Sequence, residues 1–237
     1  MLRAFAALGV GLLLCVPLSA YTAGPVQGGG RINGKVSLSG PAPTPAKIPV
    51  TKDAAVCGKI EHVDESVLAT GGGLKNVVVS ITKIDKGKGF AAPGAKLDQN
   101  GCRFDPHVVL LPAGGELEII NSDGILHNIH TFSTKNPAIN KAQPKFKKVM
   151  KEKFAQVEVA PPVKVVCDAH SWMGGYLFVL DHPYYAVTAD DGSYTLGDVP
   201  PGTYELRFWH EKFGEKKANV TVKGGAAAKV DQSYAAK

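Results

Sequence analysis

The stretch Cys167-Asp168-Ala169-His170-Ser171-Trp172-Met173 places a thiol, an imidazole and a thioether in one short loop, just ahead of the strand-like run Tyr176-Leu177-Phe178-Val179-Leu180. Upstream, Leu126-His127-Asn128-Ile129-His130 supplies a second imidazole. A Cys thiolate, two His nitrogens and a weak axial Met form the ligand set of a mononuclear copper site built for electron transfer. The soft thiolate selects copper over harder ions, and the metal in turn keeps the sulfur deprotonated. One ligand loop between two strands, with one more His from a neighbouring strand, puts such a site at one pole of a β-sandwich. There an electron would leave through an exposed imidazole edge.

Working outward from the loop, short strands are expected near Val108–Leu111, Leu117–Ile120, Asn128–Phe132, Phe154–Val159, Lys164–Val166 and Tyr176–Leu180. The breaks between them carry the Pro, Gly, Asn and Asp that turns require. Arg31 to Ser39 alternates polar and apolar residues and reads as a first strand, and Val77 to Ile81 reads as a buried one. Residues 24–30 form a flexible leader, residues 46–72 read as irregular, and Lys83 to Gly94 reads as an exposed turn. The insert Thr134 to Lys153 is weakly patterned and rich in Lys, with room for one short helix. The chain is therefore expected to be nearly all-β.

The pair of segments around His127 and Cys167-x-x-His170-x-x-Met173 resembles amicyanin, and more broadly the plastocyanin group of cupredoxins, the blue type 1 copper proteins. Gly114-Gly115-Glu116-Leu117-Glu118-Ile119-Ile120-Asn121 resembles the same family's Gly turn, strand and Asn. The likeness covers Lys96 to Asp181, about a third of the chain. It implies a Greek-key sandwich over residues 95–180, with one copper ion held by His127, Cys167, His170 and Met173. It also implies that Asn128 ties the two ligand loops together by hydrogen bonds. Two family prolines are replaced here, by Leu126 and Ala169, and the usual lead into the Cys is replaced by Pro161-Pro162-Val163. None of these changes removes a ligand.

A second module reads from Thr188 through Asp190-Asp191-Gly192, Tyr194 and Pro200-Pro201-Gly202 to Tyr204. It resembles the carboxypeptidase-regulatory-like, transthyretin-like β-sandwich. Gly34-Lys35-Val36 to Gly40 and Leu74 to Ile81 resemble that family's opening strands. The resemblance implies a discontinuous sandwich, residues 31–94 plus 181–237, with the copper domain inserted. The alternative is a tandem arrangement with a C-terminal domain beginning near Asp181.

Residues 1–20 read as a secretory signal peptide: Arg3 heads an apolar stretch that is short for a membrane span, and small residues follow at Ser19 and Ala20. The expected location is the periplasm or the exterior, with no transmembrane segment in the mature chain. Loss of the leader takes Cys15 with it and leaves Cys57, Cys102 and Cys167. Oxidising conditions favour pairing, and an odd count leaves one thiol free. With Cys167 in the ligand loop, Cys57 pairs with Cys102; in the alternative, Cys167 takes one of the two and binds nothing. The net charge of +6 suits an acidic redox partner such as a cytochrome or another periplasmic electron carrier, and does not argue for nucleic acid.

No enzyme is expected, because the chain lacks the His-x-His clusters of copper oxidases and nitrite reductases. Two other functions compete with electron transfer: copper trafficking, and a β-sandwich interaction module without a redox role. Trafficking proteins favour Met-rich runs, whereas only Met150 and Met173 follow the leader. Trp172 beside the ligands admits shielding, electron conduction or plain packing. His130 is expected off the site, because residues three apart on a strand face opposite ways. His107 reads as structural. The Lys residues at 145–153 read as a solvated loop, with a docking face as the alternative.

Overall fold

The computed structural model describes residues 21–236, so the expected signal peptide lies outside the described residues. The fold is nearly all-β, as expected, and consists of two sandwiches. No described helix is long and apolar enough to cross a membrane.

The first sandwich faces a four-stranded sheet onto a five-stranded one. The four-stranded sheet runs Phe104–Asp105, Ala95–Gln99, Glu116–Asn121, Val149–Lys153, and the five-stranded sheet runs Val108–Pro112, Gly174–Leu180, Glu158–Val166, His127–Phe132, Asn140–Gln143. Alternation dictates the core. In Glu116–Asn121, Leu117 and Ile119 point inward and meet Ile129, Val163, Val165 and Leu177 from the other sheet. The expected strands Phe154–Val159 and Lys164–Val166 are one strand, Glu158–Val166, whose register shifts between Glu158 and Val163. Pro161 and Pro162 sit within that irregularity, where no ladder N–H is required.

The Lys-rich insert holds no helix. It forms two edge strands, Asn140–Gln143 on one sheet and Val149–Lys153 on the other. Each buries one residue, Gln143 and Met150, so neither shows a clear apolar period. Lysines on exposed edges also block edge-to-edge pairing with other chains.

The second sandwich draws strands from both ends of the chain. Tyr185–Val187 and Gly202–His210 pair with Val78–Ile81, while Ser193–Val199, Ala227–Lys229 and Gln232–Ala235 pair with Gly30–Ser39. Ile32, Val36 and Leu38 point into a core shared with Val79, Ile81, Leu206, Phe208 and Tyr234.

The two sandwiches meet along the outer faces of two strands. Val79 and Ile81 face the second core, whereas Val78 packs with Val108, Phe178 and Leu180 of the first sandwich. This is why Val78–Ile81 is buried along its whole length. The same period of two governs Gly202–His210. Leu206, Phe208 and His210 are buried, while Arg207 donates to the Val159 carbonyl at 3.2 Å and Trp209 stacks edge-on against Tyr176 and Phe178.

Residues 46–72 are less irregular than expected. Lys47–Ile48 pairs with His62–Val63, and a short helix spans Ala54–Cys57. Val50, Val56 and Cys57 pack into the core of the 95–180 sandwich rather than into the sandwich to which the sequence assigned them. A disulfide between Cys57 and Cys102 holds the segment there, and among the described residues Cys167 is the free thiol.

Candidate metal centre

Cys167 follows the Glu158–Val166 strand directly, and two backbone hydrogen bonds close its loop. The Cys167 amide donates to the Met173 carbonyl at 3.2 Å, and the Met173 amide donates to the His170 carbonyl at 2.9 Å. His127 opens the His127–Phe132 strand after the turn at Asp123-Gly124, where Gly124 adopts φ 69°. Antiparallel pairing of His130 with Val166 brings the two segments together.

Three of the four expected ligands converge. His127 Nδ1 lies 3.1 Å from His170 Nδ1, and Cys167 Sγ lies 3.9 Å and 3.8 Å from them. A triangle with these sides has a circumscribed radius of about 2.1 Å, within the roughly 2.0–2.3 Å of metal–imidazole and metal–thiolate bonds. All three residues are buried. The donor set therefore fits a soft or borderline ion. Met173 is buried in the same core cluster as Cys167.

Asn128 lies between the loops. Its amide reaches Cys167 Sγ at 3.4 Å, its side-chain oxygen accepts from the Asp168 amide at 2.6 Å, and its side-chain nitrogen donates to Asn140. Trp172 is half-buried; its Nε1 donates to the Cys102 carbonyl at 3.1 Å, and its ring stands edge-on 5.2 Å from His170. With His107, Tyr176 and Glu211 it lines a cleft between the sandwiches.

The expected exposed imidazole edge is absent: His127 and His170 are both fully buried. Each turns its far nitrogen to a carboxylate that the sequence reading missed. His127 Nε2 pairs with Asp123 Oδ2 at 2.8 Å, and His170 Nε2 pairs with Asp53 Oδ2 at 2.9 Å. Asp123 also accepts from the amides of Gly101 and Cys102 at 2.6 Å and 2.8 Å. Its spacing of four before His127 is the sequence signal that could have marked it. Asp53 lies 117 residues from His170 and leaves no local trace.

The electrostatics favour a thiolate. Burial opposes ionisation of Cys167, but hydrogen bonds from His127 and the Asn128 amide outweigh it and hold the thiol below its ordinary value. Burial likewise opposes charging of His127, yet Asp123 and Cys167 together push it up to about 9. Burial draws His170 below the usual His value despite Asp53, and the neighbouring His127 adds to the effect.

The other histidines stand apart. His130 pairs with Asp168 at 3.1 Å and stacks on Phe132. His107 pairs with Glu211 at 2.6 Å across the two sandwiches. His62 Nε2 lies 3.0 Å from the Cys57 carbonyl. Lys141 and Lys151 pair with Glu152 and Glu116.

Residues 154–230 match a family described as polysaccharide lyase family 4, domain II, rather than the carboxypeptidase-regulatory-like family that the sequence resembles. No curated protein matches the chain. Among solved structures, a purple cupredoxin from Nitrosopumilus maritimus is similar at 18% identity and TM-score 0.30, over 36% of this chain and 99% of that one. A Cu(I) amicyanin variant is similar at 15% identity and TM-score 0.33, over 43% of this chain and 98% of that one. A copper-containing nitrite reductase from Thermus scotoductus is similar at 16% identity and TM-score 0.31, over 50% of this chain and 27% of that one.

Proposed function

We propose that this chain is an exported electron-transfer protein with one copper ion at His127, Cys167 and His170, and Met173 as the weak axial ligand. The observation that carries the reading is the buried triangle of two Nδ1 atoms and one Sγ, sized for a single ion. When bound, copper supplies a one-electron couple between its divalent and monovalent states.

The chain's own groups do the rest. Two strands and a hydrogen-bonded loop hold the donors in nearly the same place in both states, so little rearrangement accompanies electron gain or loss. Asn128 and His127 keep the sulfur anionic. Burial of both rings excludes water and leaves no side open to a substrate, which supports a carrier rather than an enzyme. A protein partner such as a cytochrome would exchange the electron. We further read the copper-side sandwich as inserted into the second one, whose role is that of a scaffold.

Visible absorption and electron paramagnetic resonance of the Cu(II)-loaded protein test this. An intense thiolate-to-copper band with narrow copper hyperfine splitting, both lost in Cys167→Ser, is the expected result. An ordinary weak Cu(II) spectrum, or no stoichiometric copper, would sink the reading and leave trafficking or a metal-free module.

A further inference from the structure

The two ligand imidazoles are backed in the same way. Each directs Nδ1 at the thiolate and Nε2 at a carboxylate: His127 at Asp123, 2.8 Å away, and His170 at Asp53, 2.9 Å away. We propose that Asp53 and Asp123 are positioning residues that fix both rings as Nδ1 donors and bias the site toward divalent over monovalent copper. The proposal rests on the copper reading above.

A neutral imidazole carries one N–H. With that hydrogen given to a carboxylate at Nε2, the Nδ1 lone pair must face the metal, and the ring becomes a stronger donor. The charge count points the same way. One thiolate and two carboxylates bring three negative charges to the site, Asp123 almost wholly buried and Asp53 partly open to solvent. A divalent ion leaves a net charge of minus one, whereas a monovalent ion leaves minus two. Mutual repulsion makes the second arrangement costlier, most strongly for the buried Cys167 and Asp123 charges and less for the partly solvated Asp53.

Both carboxylates are built in. Asp123 is almost wholly buried and braced by two backbone amides. Asp53 adopts the left-handed conformation (φ 51°) that Asp tolerates, just ahead of the helix Ala54–Cys57. The Cys57–Cys102 disulfide then joins the loop that carries Asp53 to the loop whose amides hold Asp123. One covalent link therefore braces the backing of both ligands.

Asp53→Asn is the discriminating variant, because Asn still accepts a hydrogen bond but carries no charge, and Asp53 has no backbone amide to hold. Its ratio of Cu(II) to Cu(I) affinity should fall about tenfold, read as a rise in reduction potential of about 59 mV for one electron, and Asp53→Glu should restore most of it. In the metal-free protein, nitrogen-15 shifts of neutral His170 should show the proton on Nε2 in the parent and a mixture of the Nδ1–H and Nε2–H tautomers in Asp53→Ala. Equal losses of Cu(II) and Cu(I) affinity in Asp53→Asn, or a parent His170 protonated on Nδ1, would overturn the proposal. A parent that bound neither ion would sink the electron-transfer reading and the charge effect together, while the His170 tautomer would still decide whether Asp53 orients the ring.

Discussion

Asn128 and Cys167, 39 residues apart, meet through a hydrogen bond of 3.4 Å from the Asn128 amide to the Cys167 sulfur, and the Asn128 side chain accepts from the next amide, that of Asp168. The side chain thus locks the ligand loop in register with the strand that bears His127. Asn128→Ala removes the lock but keeps the amide-to-sulfur bond. Copper affinity should fall about 10- to 100-fold, as for other groups that orient metal ligands, and the unfolding free energy of the metal-free protein should fall by about 1–2 kcal/mol. Competitive chelator titration and urea unfolding measure the two. An affinity within twofold of the parent would show that Asn128 does not orient the loop.

The Cys57–Cys102 disulfide closes a loop with a sequence separation of 45. Loop-closure entropy of the unfolded chain sets its upper contribution at about 4 kcal/mol. The Cys57→Ala/Cys102→Ala double variant should therefore unfold at lower denaturant concentration, by 2–4 kcal/mol in the metal-free state. Exchange of the Trp172 indole proton should quicken as well, because its acceptor is the Cys102 carbonyl. Unchanged exchange at Trp172 would mean that packing, not the disulfide, holds this loop.

Both devices, the Asn128 tie and the Cys57–Cys102 bridge, were expected from the sequence and are present, whereas other parts of the site were not legible there. Cys167, His170 and Met173 share one loop, so their grouping was legible from spacing, and His127 announced itself beside Asn128 after a turn. The cover over His170 was not legible. It comes from Asp53, in a segment whose small apolar residues form no period, and only the tertiary fold brings it over the ring. The expected exposed imidazole edge failed for that reason. Gln143 and Met150 were hidden differently: edge strands bury few side chains, so their Lys-rich sequence looked like loop or helix. Val78 was read as buried, but not that its burial comes from a second sandwich rather than its own.

Glu158 is a buried carboxylate that accepts from the Ser133 hydroxyl, the Thr134 amide and hydroxyl, and the Asn136 amide and side chain. Burial would raise its pKa, but these donors overcome burial and bring it down to about 2, from an ordinary 4.5. The folded value lies below the unfolded one, so the ionised group stabilises the fold at neutral pH. That contribution fades as pH falls below about 4.5 and is gone near 2. Glu158→Gln should lose on the order of 2 kcal/mol at pH 7 and show a flatter acid limb between those values. Chemical unfolding across pH 2–7 checks both, and parallel acid limbs in variant and parent would refute the assignment.

Trp209 tests whether the two sandwiches fold as one cooperative unit. Its ring meets Tyr176 at 4.9 Å and Phe178 at 5.1 Å, both edge-on, from a strand whose opposite face belongs to the second core. Arg207 and Glu211, on either side of it along the same face, contact the Val159 carbonyl and His107. Trp209→Ala would leave those two polar contacts over an emptied apolar seat. The cost should be roughly 3 kcal/mol, at the low end for large-to-small aromatic truncations because the ring is only partly buried. Most of that loss falls on contacts between sandwiches, so unfolding, expected as a single transition in the parent, should split in two. Far-ultraviolet circular dichroism and the copper-thiolate band would then report different midpoints. Coincident midpoints in the variant would show that the backbone crossings, rather than this aromatic seat, couple the two halves.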